Sequence, residues 1–252
     1  MSILGDTIDY GPYGWMESYD PTWTPNTTDE DGRRYCYANQ PQVALWNLAQ
    51  LANALLSAAL LSRDEAQAGV DAYAPALREA YTARFAAKLG LRQHSEGLLR
   101  DLMALVATDA VDFTRAFRWL SRVPAQLAPQ DATVTELLAP LAEVLPAGMA
   151  PERASAWADW VRAYRAALAD DALSPAERAA RQDGANPLYV PRNYLLHTAI
   201  AAAEKGDATE LHKLLAVLRH PYTEQPGAEA YAAPMPDWAR RVPGVCKLSC
   251  SS

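Results

Sequence analysis

Between Asn39 and Leu218 the apolar residues recur every three or four positions in run after run, with Pro or Gly between the runs, so the chain is confined to a mainly α fold. Asn39-Gln40-Pro41 opens the first helix, because a proline at an early helical position gives up an N–H that has no helical partner anyway. Val43, Leu45, Trp46, Leu48, Leu51, Leu55 and Leu56 then supply an apolar face wide enough to be central. A second helix is expected from Arg63 or Asp64 to Leu89, with Val70, Tyr73, Leu77, Tyr81 and Phe85 along one side and Gly90 closing it. That aromatic stripe reads as core. Helices are expected again over residues 95–107, 109–122 and 153–169, the last with Trp157, Trp160, Val161 and Tyr164 on one side. Asp109, Asp112 and Arg115 fall on neighbouring turns and predict an exposed ion-pair face.

Proline sets the remaining boundaries. Pro124, Pro129, Pro140, Pro146 and Pro151 keep any helix between them short. Ser174-Pro175-Ala176-Glu177 is a helix start, with Ser as cap, Pro at the first position and Glu at the third. Asn186-Pro187-Leu188-Tyr189-Val190-Pro191-Arg192-Asn193-Tyr194 interrupts the helical period. Its two prolines hold the connection extended, and Arg192 can pair with a carboxylate or cap carbonyls, a structural assignment. A helix then runs through Ala203, a last one from Asp207 to Leu218, and Pro221, Pro226, Pro234, Pro236 and Pro243 describe an extended tail.

The first dozen residues are of another kind. Two short apolar runs, Ser2 to Leu4 and Thr7 to Asp9, flank Gly5-Asp6, which is two-residue turn chemistry, so a β-hairpin is expected with Asp9 where its second strand ends. Asp9 reads either as a turn cap or as a metal ligand, since Asp-aromatic-Gly after a short hairpin is how kinase-like folds present a carboxylate to Mg²⁺ on a nucleotide triphosphate. Asp6 should point away from it. From residue 14 to 40 neither period is visible, and Trp15, Tyr19, Trp23, Tyr35 and Tyr37 are expected to pack this loop onto helices. Asp29, Asp31 and Arg33 there either form turns or face substrate or metal.

With 23 Lys and Arg against 30 Asp and Glu the formal charge is −7, which argues against nucleic acid or an anionic membrane as partner. The longest apolar stretch, Val43 to Leu61, is broken by Asn47, Gln50 and Asn53, so no membrane span is expected. No signal peptide is visible and Cys36, Cys246 and Cys250 form neither a disulfide framework nor a zinc pattern, so a cytoplasmic protein with reduced thiols is expected. His94, His197, His212 and His220 have no metal-ligand spacing, and there is no glycine-rich phosphate loop or nucleophile elbow.

Several ordered blocks share a resemblance. Met1-Ser2-Ile3-Leu4-Gly5 through Asp9-Tyr10-Gly11-Pro12, Tyr19-Asp20-Pro21, Gly32-Arg33-Arg34-Tyr35-Cys36-Tyr37-Ala38-Asn39-Gln40-Pro41 with Leu45-Trp46-Asn47-Leu48, Asn186-Pro187, Tyr189 to Tyr194, Glu204-Lys205-Gly206-Asp207, Pro221-Tyr222 and Ser249-Cys250-Ser251-Ser252 together resemble the selenoprotein O (SelO, YdiU) family along essentially the whole chain. The resemblance implies the C-terminal lobe of a protein-kinase-like fold and Mg²⁺-dependent transfer of AMP from ATP to Ser, Thr or Tyr hydroxyls of protein substrates. Asp9 is then the metal- and nucleotide-binding carboxylate. Residues 1–13 would form the metal-site hairpin, 14–40 an activation-segment-like loop, 41–219 the helical body and 220–252 the tail. In the family an Asp-Asn pair, base and metal ligand, directly precedes the Met-Ser-Ile block. This chain begins at that Met, so it is expected to lack a catalytic base and the nucleotide-gripping lobe, and to be inactive alone. Cys250 falls where some members carry selenocysteine and is a redox candidate. The usual bacterial partner position is Pro25 here, which leaves a Cys246–Cys250 pair or two free thiols. A non-catalytic helical interaction or regulatory module with a vestigial Asp-Tyr-Gly, and an ordinary kinase, are the alternatives.

Overall fold

A computed structural model of the chain describes Leu4, residues 14–24, residues 26–242 and Val245. The expected hairpin, Asp9, Pro25, Cys246 and Cys250 lie outside the described residues. Among the described residues the regular structure is ten α-helices and several short 3₁₀ turns with no strand, so the expectation of a mainly α chain holds. The chain divides into two compact units, one of Met1–Gly14, Asp20–Tyr81 and Cys246–Ser252, the other of Trp15–Tyr19 and Thr82–Val245.

In the first unit α1 spans Gln40–Ser57 with Pro41 in its first turn, as expected. Its apolar face is not central, however. Val43 is its only buried residue, Leu45, Leu48, Leu51, Leu55 and Leu56 are half-buried, and Trp46 is 49% exposed. Next come α2 (Arg63–Asp71) and α3 (Tyr73–Lys88), where the periodicity predicts one helix from Arg63 or Asp64 to Leu89. The break at Ala72 follows from Pro75, which has no N–H to give the carbonyl four residues back. Ser62 and Glu65 form a reciprocal capping box at the start of α2.

The second unit holds the last turns of α3, then α4 (Glu96–Thr108), α5 (Phe113–Trp119), α6 (Val134–Leu138), α7 (Pro151–Asp170), α8 (Pro175–Ala185), α9 (Asn193–Ala203) and α10 (Thr209–Leu218). The helix expected over 109–122 starts only at Phe113. Ala110 takes φ +50° and ends α4, and the Asp112 side chain accepts the Arg115 N–H at 2.9 Å to cap α5. One core of α4, α5 and α7 encloses Leu102, Val106, Phe117, Trp157 and Tyr164. Trp160 stacks on Tyr164 at 4.9 Å and donates its indole N–H to the Leu98 carbonyl at 3.0 Å, so the aromatic side of α7 is core.

A polar chain crosses this core, with Arg178 Nε left buried without a hydrogen-bond partner among the described residues. Tyr164 donates to the Leu89 carbonyl at 2.8 Å, the Gln182 amide donates to the Tyr164 oxygen at 2.8 Å, and Arg178 donates to Gln182 Oε1 at 2.9 Å. Gly90 permits that approach. Its φ of +68° favours glycine, and a Cβ there would stand 2.5 Å from Gln182 Cδ.

The proline-rich connection before α9 is pinned where the Pro221 carbonyl accepts the N–H groups of Leu188 and Tyr189, at 2.8 and 3.1 Å. The tail is docked instead of simply extended: Tyr194, Ala239 and Val245 form a buried cluster, Tyr194 donates to the Ala233 carbonyl at 3.0 Å, and 3₁₀ turns occupy Glu229–Ala232 and Ala239–Arg241.

Candidate functional site

Asp9, the expected metal and nucleotide ligand, and Cys250, the redox candidate, lie outside the described residues. After Asp9 the described residues resume at Gly14, and the stretch Trp15–Tyr19 that follows is held in place in the second unit at every step. The Trp15 N–H donates to Asn193 Oδ1 at 3.0 Å, Phe113 N–H donates to the Glu17 carbonyl at 2.7 Å, and the Ser18 hydroxyl donates to the Ala110 carbonyl at 2.8 Å. Met16 is buried, and the Tyr19 ring stacks on Phe113 at 5.4 Å.

Arg192 closes this arrangement. Its guanidinium, 2% exposed, pairs with the Glu17 carboxylate through Nη1 and with Asp112 through Nη1 at 2.8 Å and Nη2 at 3.2 Å. Three segments far apart in sequence thus meet on one cation: the stretch after Asp9, the α4–α5 corner and the first residue before α9. Burial pushes the Glu17 carboxyl above its ordinary range, with the charge of Arg192 pulling against it and that of Asp112 adding to it. Glu17 Oε1 and Arg192 Nε are buried without a hydrogen-bond partner among the described residues. The assignment of Arg192 as a residue that pairs a carboxylate is met twice over. Sequence alone gave no sign that Glu17 and Asp112 are its partners, because neither is near it in the chain.

Asp112 and Asp109 do not form the exposed ion-pair face with Arg115 that their spacing predicts. Asp112 turns inward to Arg192, and Asp109 accepts from Arg153 Nε at 2.9 Å, Arg153 Nη2 at 2.7 Å and the Trp157 indole at 2.7 Å. The hydrogen bonds from Arg153 hold the Asp109 carboxyl below its usual range. The reason is tertiary: both carboxylates sit at helix ends that face other helices.

In the first unit, Asp29 spends its carboxylate on the backbone, accepting the N–H groups of Arg34 at 2.9 Å and Tyr35 at 2.8 Å. Arg33, at φ +47°, donates to the Thr22 hydroxyl at 2.7 Å, and the Arg34 guanidinium lies over the Trp46 ring at 4.4 Å. Of the two roles open to Asp29 and Arg33, turn formation is the one the geometry bears out. Tyr35 and Tyr37 are exposed, whereas the Tyr19 ring stacks on Phe113.

Among the described residues no three His, Cys, Asp or Glu side chains converge to hold a metal ion. Glu17 and Asp112 are already matched to a cation.

Residues 1–219 match the family described as Protein adenylyltransferase SelO. The chain belongs to the SelO family. Similar curated proteins are the Protein nucleotidyltransferase YdiU of Rhodopirellula baltica, 44% identical over 265 residues, and those of Xanthomonas campestris pv. campestris strain B100, 46% over 260, and Azoarcus sp. strain BH72, 46% over 255. Each alignment takes in 100% of this chain and 48% of the relative, so the chain spans about half the length of the curated relatives it matches. The SelO match covers Asp9, Glu17, Asp112 and Arg192 alike, while Cys250 falls beyond its last residue.

Proposed function

We propose that these 252 residues are the C-terminal lobe of a kinase-like protein adenylyltransferase, which moves AMP from ATP to Ser, Thr or Tyr hydroxyls of cytoplasmic proteins. The match to the SelO family over residues 1–219 carries this reading, and the names of the relatives, protein nucleotidyltransferases, support it. Within the lobe, 1–13 serves as the metal-site hairpin, 14–40 as the activation-segment-like loop, 41–219 as the body and 220–252 as the tail, with Cys250 as its redox-sensitive residue.

In the reaction the acceptor hydroxyl oxygen attacks the α-phosphorus, the bond from that phosphorus to the bridging oxygen of the β-phosphate breaks, pyrophosphate leaves and the hydroxyl proton passes to a base. No residue of this chain is assigned as that base. Asp9 binds the metal–nucleotide complex through its carboxylate. Mg²⁺, when bound, neutralises charge on the phosphates. One carboxylate without a Gly-rich loop grips a triphosphate weakly, so the 252 residues by themselves should not transfer AMP.

The test is transfer to protein from ATP labelled on the α- or the γ-phosphate, using the gene product that carries these residues and, separately, the purified 252-residue chain. The expected result is α-label on protein with the gene product and none with the chain alone. Transfer of γ-label would replace the reading with an ordinary kinase, and AMP transfer by the chain alone would overturn the statement that it is inactive.

A further inference from the structure

We propose that Lys88 is an acyl-acceptor site: its ε-amine, held between the Phe117 ring and the Asn186 side chain with no carboxylate beside it, takes an acyl group from an acyl phosphate. The inference stands apart from AMP transfer and from Asp9, and every residue it uses belongs to the second unit. Lysine occurs in this chain only as Lys88, Lys205, Lys213 and Lys247, so acylation can be followed one lysine at a time.

Three observations carry it. First, Lys88 ends α3, is half-buried, and has neutral partners for its amine. Nζ donates to Asn186 Oδ1 at 2.8 Å and lies 4.7 Å from the centre of the Phe117 ring, and Asn186 and Phe117 are each 1% exposed. The Asn186 amide in turn donates to the Lys88 carbonyl at 2.9 Å, so the pair is fixed from both ends. Second, the charges of this corner are matched to each other. Arg118 Nη1 donates to the Asn186 carbonyl at 3.0 Å and lies 3.4 Å from Asp183 Oδ1, so the carboxylate faces a guanidinium and Lys88 makes no ion pair among the described residues. Tyr164, bonded to the Leu89 carbonyl, is pushed up by burial and stays neutral. Third, burial without a counter-ion penalises the charged amine. It pushes Lys88 down to about 8, although a helix C-terminus and a ring face both favour a cation. Lys213 is the contrast, since its hydrogen bond to Glu210 at 2.8 Å holds it above the ordinary lysine value.

A lysine is nucleophilic as the neutral amine, and desolvation in an apolar setting supplies that form near neutral pH. Its lone pair attacks the carbonyl carbon of the acyl phosphate, the bond from that carbon to the phosphate oxygen breaks, phosphate leaves with the electron pair, and the nitrogen gives a proton to water. The amide that results keeps one N–H for Asn186 Oδ1 and removes the buried charge.

The experiment treats the 252-residue chain with acetyl phosphate from about pH 6 to about pH 11 and follows acetylation of each lysine by peptide mass spectrometry. The expected result is a rate for Lys88 that levels off above a midpoint near 8, below the midpoint of Lys213. At about pH 7.5 the lower midpoint frees on the order of 10² times more neutral amine, and weaker basicity and burial offset part of this, so Lys88 should react on the order of tenfold faster than Lys213. Asn186→Asp sets a carboxylate against the amine and should raise the Lys88 midpoint and slow its acetylation at about pH 7.5 severalfold. If that variant does not fold, the parent chain in urea carries the comparison, because the difference between Lys88 and Lys213 should vanish once the chain is unfolded. A Lys88 midpoint as high as that of Lys213 in the folded chain would overturn the proposal, as would a folded Asn186→Asp with an unchanged midpoint. Acetylation of Lys88 slower than that of Lys213 at about pH 7.5 would show an amine shielded from the donor and overturn it as well. A difference that survives in urea would trace to local sequence and not to the fold, with the same consequence.

Discussion

Asp109 shows how one carboxylate at a helix end can do more than a surface ion pair. It caps the end of α4 in the chain, yet its three donors come from α7, two from Arg153 and one from the Trp157 indole, and its side chain is 10% exposed. Hydrogen bonds to a charged acceptor contribute more than neutral ones, so Asp109→Asn should cost about 2 kcal/mol at neutral pH. The sign of the pH dependence follows from the direction of the shift. The folded carboxyl titrates below its unfolded value of about 3.9, so the contribution is complete above that value and fades as the pH falls through the folded one. Urea unfolding of parent and Asp109→Asn should therefore differ at pH 7 and converge as the pH drops below about 4. A gap that stays constant down to acid pH would mean that Asp109 acts through shape and not through charge.

Helix boundaries divide into those set within a few residues and those set by the rest of the chain. The start of α8 is local. Ser174 accepts the Glu177 N–H at 3.3 Å while Glu177 accepts from the Ser174 N–H at 2.9 Å, and both partners lie within four residues, so the motif can be read from sequence. Ser174→Ala should lower stability by about 1 kcal/mol in urea unfolding, because one first-turn N–H loses its acceptor, and Ser174→Asp should restore most of it. An effect below a few tenths would mean that α8 is held by its buried Arg178 and Gln182 and not by its cap. The break at Ala72 is local too, since Pro75 marks it, but the regular apolar spacing on either side masks that signal. What stands outside local reach is the site. Arg153 is 44 residues from Asp109, Arg192 is 80 from Asp112 and 175 from Glu17, so spacing within one helix points these carboxylates to the wrong partner. Arg192 itself was legible as a pairing residue because two prolines hold its segment out of a helix, whereas Glu17 sits in a run with no period at all.

At the scale of the whole chain, burial is shared unequally between the two units. Leu89, Leu102, Val106, Phe117, Leu120, Leu137, Leu141, Trp157, Val161 and Tyr164 all have 2% exposure or less, and all belong to the second unit. In the first unit the buried apolar side chains among the described residues are Cys36, Val43 and Ala66, while the leucines of α1 remain half-buried. Burial of apolar surface is worth roughly 25 cal/mol per Å², so the drive to keep α1 and α2 closed is small beside that for α4, α5 and α7. Local opening follows that drive, because backbone amides exchange through whichever opening exposes them most cheaply. Hydrogen exchange of the 252-residue chain should therefore find the amides of α1 and α2 exchanging on the order of 10² to 10³ times faster than those in the middle of α7, a gap of about 3 to 4 kcal/mol at RT near 0.59 kcal/mol. Exchange of α1 as slow as that of α7 would show that the two units open only together, and the few buried side chains of the first would then be no guide to its stability. The faster exchange would instead place the Asp20–Tyr81 stretch, loop included, among the parts of the chain that open first, with the cluster on Arg192 anchoring Trp15–Tyr19 to the part that opens last.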